Sequence, residues 1–236
     1  MKKNTNNGIK AYNGGKRNDF FWGKTVLWMS MLILIALVLS YFRLIHFAEG
    51  GDITWFSMFF IFLLGYFFGA KGIVAALIFS VLKYFCDIFA TKVLFENMNN
   101  LFINLEQPFA EAMDYLFSYT IVAAGGLFAR PFGKENREKY EKRYNVGTTR
   151  ELRYLITGYI IGMIFRFISS VANFVIFYSR GDFFADLHEG IVYCVGYVGI
   201  ETALTVLFLL IPWVNKAAEY CKYVATHPYP FDVENI

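Results

Sequence analysis

The chain has 236 residues, a formal net charge of +3, 57% hydrophobic residues and only 17% charged ones. A soluble domain of this length does not run so apolar. Long, nearly uncharged runs recur at about the ~20 residues needed to cross ~30 Å of hydrocarbon, so the chain reads as a polytopic membrane protein.

Residues 1–24 are polar and basic, with Asn and Gly clusters, and are expected to form a disordered cytoplasmic tail. Phe20, Phe21 and Trp22 suit the membrane interface. The run 25–45 is too long for a signal-peptide core and is expected to be a retained first helix. An EGGD turn, Glu49 to Asp52, leads to a second run over 53–68, which ends in the tight turn Gly69-Ala70-Lys71-Gly72. The third run, 73–91, carries Lys83 and Asp87 at i, i+4, a spacing at which the two can pair on one helix. An asparagine-rich connector over 92–106 precedes a fourth run, Gln107 to Ala129. Residues 130–150 are the one strongly charged segment. The fifth run, 152–178, has Arg166 in its interior. After an acidic connector, SRGDFFADLHE, the sixth run covers 190–211 and carries Glu201. Pro212 is expected to end it, leaving a cytoplasmic tail over 213–236 whose closing THPYPF argues against further helix. The expected fold is therefore all-α, with six transmembrane helices in a membrane domain spanning 25–212.

Lysine and arginine give the orientation. The N-terminal tail, the Lys71 turn, residues 130–153 and the C-terminal tail together hold 17 of the 22 basic residues. The opposite connectors hold only Arg43, Lys92 and Arg180. The positive-inside rule then puts both termini in the cytoplasm of a plasma-membrane protein.

The fourth run is the most informative. Glu111, Asp114, Tyr115 and Ser118 stand at i, i+3, i+4 and i+7, so a helix presents them on one face. An ionisable side chain at mid-span costs roughly 2.5–3.5 kcal/mol on insertion scales, and such residues face a bundle interior, a cavity or a partner charge. An acidic, aromatic stripe suits a pocket for a cationic aromatic molecule. The same stripe also suits interhelical glue, with Asp114 tied to a lysine or to backbone. At 1.5 Å per residue Asp114 lies roughly 10 Å below the outer end of its helix. Lys83 sits near that depth and rivals any ligand as its partner. Arg166 and Glu201 fall at similar depth, roughly 16–18 Å, and are expected to form a structural pair. Trp55, on the outer side, reads first as an interface anchor and second as a ligand contact. Gly65-xxx-Gly69 and Gly158-xxx-Gly162 permit close helix packing.

Three cysteines, Cys86, Cys194 and Cys221, lack CxxC spacing, and His46, His188 and His227 form no metal-ligand pattern. There is no phosphate-binding G-x-x-x-x-G-K-[ST] loop, zinc-protease helix, nucleophile elbow or dinucleotide fingerprint. No cofactor is implied. The basic segment 130–150 alternates with glutamates too regularly for a nucleic-acid patch.

Four strings resemble the thiamine-binding S-components of energy-coupling factor transporters. EGGDITWFSMFFIFLLGYFFGAKG is similar to that family's second span, AMDYLFSYTIVAAGGLFA to its fourth, RFISSVANFVIFYSRG to its fifth, and YCVGYVGIE to a sixth-span Tyr-Tyr-Glu pattern. The likeness covers roughly residues 30 to 212. It implies a vitamin-binding membrane subunit that works with a transmembrane scaffold and two separate ATPases, with no catalysis in this chain. The acidic-Tyr pair that contacts thiamine in the family corresponds to Asp114 and Tyr115. Elsewhere the sequence departs from the pattern. A fifth-span histidine corresponds to Ser170, a glycine to Phe174 and a tryptophan to Tyr178. A sixth-span asparagine corresponds to Cys194, and a tyrosine before it to Glu189. The best match to a scaffold-contact pair of alanines in the first span is Leu32 and Ala36. The expected ligand is thiamine or a related cationic aromatic compound, held by Asp114 as counter-charge and by Tyr115 and Tyr178 as ring contacts. Glu111, Ser170, Cys194 and Trp55 are secondary candidates. The alternatives are the same machinery with another small molecule, and a structural membrane subunit without a ligand.

Overall fold

A computed structural model describes residues 14–46, 52–90, 108–129, 149–178 and 181–226. The expectations for 1–13, for most of the EGGD turn, for the connector 92–106, for most of the charged segment and for THPYPF lie outside the described residues. The described chain is nearly all helical. Its elements are α1 (Gly14–Tyr41), a hairpin of β1 (Arg43–His46) and β2 (Asp52–Thr54), α2 (Ser57–Phe68), α3 (Ala70–Phe89), α4 (Pro108–Gly125), α5 (Thr149–Phe177), α6 (Phe183–Leu209) and α7 (Pro212–Thr226). Among the described residues four helical stretches are long and apolar enough to cross a membrane: Trp22–Tyr41, Ala70–Phe89, Arg153–Phe177 and Phe183–Leu209.

Several boundaries differ from those expected. The first helix begins at Gly14, so part of the stretch expected to be disordered is helical. The run 53–68 does not form one helix. Residues Asp52–Thr54 pair antiparallel with β1, and Phe56 takes φ 53°, a conformation a bulky side chain rarely adopts. The Phe56 ring stacks on Phe208 of α6 with centroids 4.4 Å apart, which helps to hold that turn. Helix α2 therefore starts only at Ser57. Its 12 residues rise ~18 Å, short of the ~30 Å of a hydrocarbon core. Ten of the 12 are buried, so its all-round apolar character marks a core helix wrapped by others.

Helix α6 starts seven residues earlier than expected. Asp182 caps it, its carboxylate accepting hydrogen bonds from the backbone N–H groups of Phe184 and Ala185. Helix α6 ends at Leu209, just before Pro212 as expected, but Pro212 also opens α7, because a proline at the first helical position lacks only an N–H that would be orphaned anyway. So 213–226 is an amphipathic helix rather than a tail, packed against α1, α2 and the end of α6. Its buried Glu219 accepts from the Tyr66 hydroxyl of α2, and Lys222 Nζ sits 3.8 Å from the centre of the Tyr66 ring.

Helix α4 is the hub, packed against α2, α3 and α5. Small residues make that possible. A Cβ on Gly65 would lie 1.7 Å from the Ala123 carbonyl oxygen, and one on Gly125 would lie 2.6 Å from the Gly162 Cα. Gly65, Gly158 and Gly162 of the two glycine pairs thus serve packing within the chain. Gly69 serves the backbone instead, its φ of +61° turning α2 into α3. Leu32 and Ala36 of α1 are buried in the core, so the pair matched to a scaffold contact faces inward.

Candidate functional site

The polar residues of α3, α4, α5 and α6 converge on one cavity of about 100 Å³. Glu111, Asp114, Tyr115 and Tyr119 of α4 line one side. Arg166, Ser170, Asn173, Phe174 and Tyr178 line it from α5, and Tyr193, Cys194 and Tyr197 from α6. Lys83 reaches it from α3, and Ser40, Thr54 and Met58 close the remainder. The helical spacing of the acidic stripe explains the α4 wall, and Arg166, Ser170, Asn173 and Phe174 follow the i, i+4, i+7, i+8 rhythm on α5.

On α6 the rhythm differs. Tyr193, Tyr197 and Glu201 are spaced by four, which drifts by about 40° per step in an ideal α-helix. The wider π-helical turn at Val195–Gly199 reduces that drift and keeps Tyr193, Tyr197 and Glu201 turned toward the interior.

The charged groups sort into two closed pairs and an acidic wall. Lys83 Nζ donates to both oxygens of Asp87, at 2.7 and 2.6 Å, and Tyr115 adds its hydroxyl to Asp87 at 2.6 Å. Arg166 Nη1 donates to Glu201 Oε2 at 2.7 Å, while the Thr54 hydroxyl donates to Glu201 Oε1 at 2.7 Å. Both pairs are buried. The Arg166 guanidinium also lies 5.8 Å from the centre of the Tyr197 ring. Asp114 is held differently. Ser118 and Ser170 donate to its Oδ1 at 2.9 and 3.2 Å, and no described residue donates to Oδ2. Lys83, the rival cation, is spent on Asp87. Glu111 accepts a long hydrogen bond from the Tyr178 hydroxyl, at 3.4 Å.

Aromatic rings complete the walls. Tyr115 packs edge-on against Tyr84 and Tyr119, and Phe174 stacks against Tyr178 at 5.7 Å and faces Tyr193 at 5.9 Å. Cys194 is buried, its thiol 3.9 Å from the Tyr197 hydroxyl oxygen. Trp55 stands apart: it is 48% exposed, does not line the cavity and contacts Phe56 edge-on. The reason is local, since Thr54 turns inward to Glu201 and its neighbour in an extended segment points the other way. Among the described residues no His, Cys, Asp and Glu are grouped to hold a metal ion. Sequence reasoning missed Tyr119, Asn173, Tyr193 and Tyr197 as lining residues. The two α6 tyrosines stood in the quoted Tyr-Tyr-Glu pattern, and Asn173 lay three residues after Ser170.

A family model described as thiamine transporter protein (Thia_YuaJ) matches residues 26–220, from the first span into α7. The chain belongs to this family. It is thus a membrane protein of thiamine transport, in agreement with the resemblance to the thiamine-binding S-components. No curated protein and no solved structure matches the chain. Within this thiamine transporter family member, the acidic-Tyr string falls on the cavity-facing side of α4.

Proposed function

We propose that the chain is the substrate-binding membrane subunit of an ATP-driven vitamin importer, taking thiamine or a related cationic aromatic compound from the outside. The observation that carries this is Asp114: a carboxylate on a cavity wall, held among the described residues by two hydroxyls on one oxygen, with the nearby lysine paired to Asp87. A carboxylate so placed among tyrosine rings attracts a cation through both charge and ring faces. Asp114 serves as counter-charge. Tyr115 and Tyr178 serve as ring contacts, with Glu111, Ser170 and Cys194 beside them. Lys83–Asp87 and Arg166–Glu201 are structural pairs that hold the walls. Family membership supports the transport role, and the lysine and arginine distribution supports six membrane passes with both termini cytoplasmic, α2 being the shortest pass. A separate transmembrane scaffold and two ATPases supply the energy. Because Leu32 and Ala36 face inward, the scaffold meets another part of the surface.

The test is thermal stabilisation of the purified protein by thiamine and related vitamins, with Asp114→Asn alongside. A ligand at a hundredfold excess over its dissociation constant stabilises by about 2.7 kcal/mol. We expect a thiamine-induced shift that Asp114→Asn abolishes. An equal shift in both proteins would remove Asp114 from the site, and no shift with any compound in folded protein would defeat the binding reading.

A further inference from the structure

One side chain stands where ligand size is decided. Phe174 lies in the cavity wall between two tyrosines, Tyr178 one turn further along α5 and Tyr193 on α6. Its ring also lies against Gly190, where a Cβ would come within 2.9 Å of the Phe174 Cδ1 atom. The slot exists because residue 190 has no side chain. The neighbouring Tyr178 ring is tied through its hydroxyl, which donates to Glu111. Phe174 has no polar atom, so only packing holds its ring in place.

With that ring seated, the cavity offers about 100 Å³. In another protein an apolar cavity of about 150 Å³ holds one benzene molecule. By that measure the space beside Asp114 takes at most a single small ring, whereas thiamine carries two joined by a methylene. We propose that Phe174 sets the size of the ligand. In its seated position the cavity takes at most one small heteroaromatic ring that presents positive charge or N–H donors to Asp114, and a two-ring ligand enters only when the Phe174 ring leaves its slot. This rests on the binding function proposed above and makes it more specific. When the competent conformation is a fraction of the population, apparent affinity falls by that fraction, so a ring displaced in on the order of one molecule in ten weakens two-ring binding about tenfold.

The experiment is calorimetric titration of the purified full-length protein with thiamine, with its aminopyrimidine half and with its thiazolium half as separate compounds. It is repeated on Phe174→Ala and Phe174→Leu, with thermal melts to show that each is folded. Removing the ring should tighten thiamine by about tenfold and leave the better-bound half within about threefold of wild type. The leucine variant should fall between, and it carries the test if the alanine variant does not fold. Thiamine binding that is unchanged or weaker in the folded variants would overturn the role of Phe174 while leaving the binding function in place. If wild type and variants bind none of the three compounds, both are overturned.

Discussion

Replacing Glu201 by leucine should destabilise the protein more than replacing Glu201 and Arg166 together. Arg166 is 6% exposed and Glu201 1%, and their contact is 2.7 Å long. Glu201→Leu leaves the guanidinium buried without its counter-charge, at a cost of about 3–5 kcal/mol. The Tyr197 ring offers the stranded cation only a weak substitute. Thr54 loses its acceptor too, yet its hydroxyl still meets that of Ser57 at 2.6 Å, so that loss is small. For a chain of 150–250 residues one kcal/mol moves the melting temperature by about 2–4 °C, so the single variant should melt roughly 6–20 °C lower. The double variant Arg166→Met/Glu201→Leu buries apolar groups of similar volume, a replacement that is often neutral or better. It should recover most of the loss. The assay is thermal unfolding of Glu201→Leu, Arg166→Met and the double variant in the same detergent. A single variant that melts with wild type, or a double variant that falls by the sum of the two singles, would refute the reasoning.

Other consequences follow from the packing and from α7. Gly65→Ala places a methyl group within 1.7 Å of a backbone oxygen of α4, so the α2–α4 contact must open. Overpacking of this kind costs about 1–3 kcal/mol or more, which should appear as a lower melting temperature and a lower folded yield. Tyr66→Phe removes the hydroxyl that Glu219 accepts from; the loss is about 1–3 kcal/mol, and hydrogen exchange in α7 should rise more than in α4. The Cys221 thiol is pushed up from its ordinary value by burial, so less of it is thiolate at neutral pH. Maleimide should label it more slowly than a free peptide thiol at about pH 7, with the rate climbing as the pH rises; an equal rate at neutral pH would contradict that.

The local part of the architecture is legible in the sequence because it depends on spacing along one helix. Lys83 and Asp87 at i, i+4 close on each other, and Ser118 reaches Asp114 across the same interval on α4. Hydropathy locates the apolar runs but not their ends. A run says nothing of where β2 stops and α2 begins, since that boundary is made by pairing with β1 and by the Phe56 turn against Phe208. Pro212 reads as a stop because a proline breaks a helix interior, whereas at a first turn it starts one. Trp55, read first as an interface anchor, falls on the outward face of an extended segment and away from the cavity, a matter of alternation that a helical reading of the run does not resolve.

The arrangement at Asp114 depends on contacts no single helix specifies, and it sets this carboxylate apart from Asp87 and Glu201. Each buried acid beside the cavity could in principle have taken a lysine or arginine. Asp87 and Glu201 did, and each gained a hydroxyl as well, from Tyr115 and Thr54. Those pairings engage Lys83 and Arg166, although the buried Arg166 Nε has no hydrogen-bond partner among the described residues. Asp114 is left with serines from α4 and α5, which orient one oxygen without neutralising it. Had Ser170 been a lysine, the site would be closed by the protein itself. A short hydroxyl at that position joins the two helices through one carboxylate oxygen and leaves the other without a donor among the described residues.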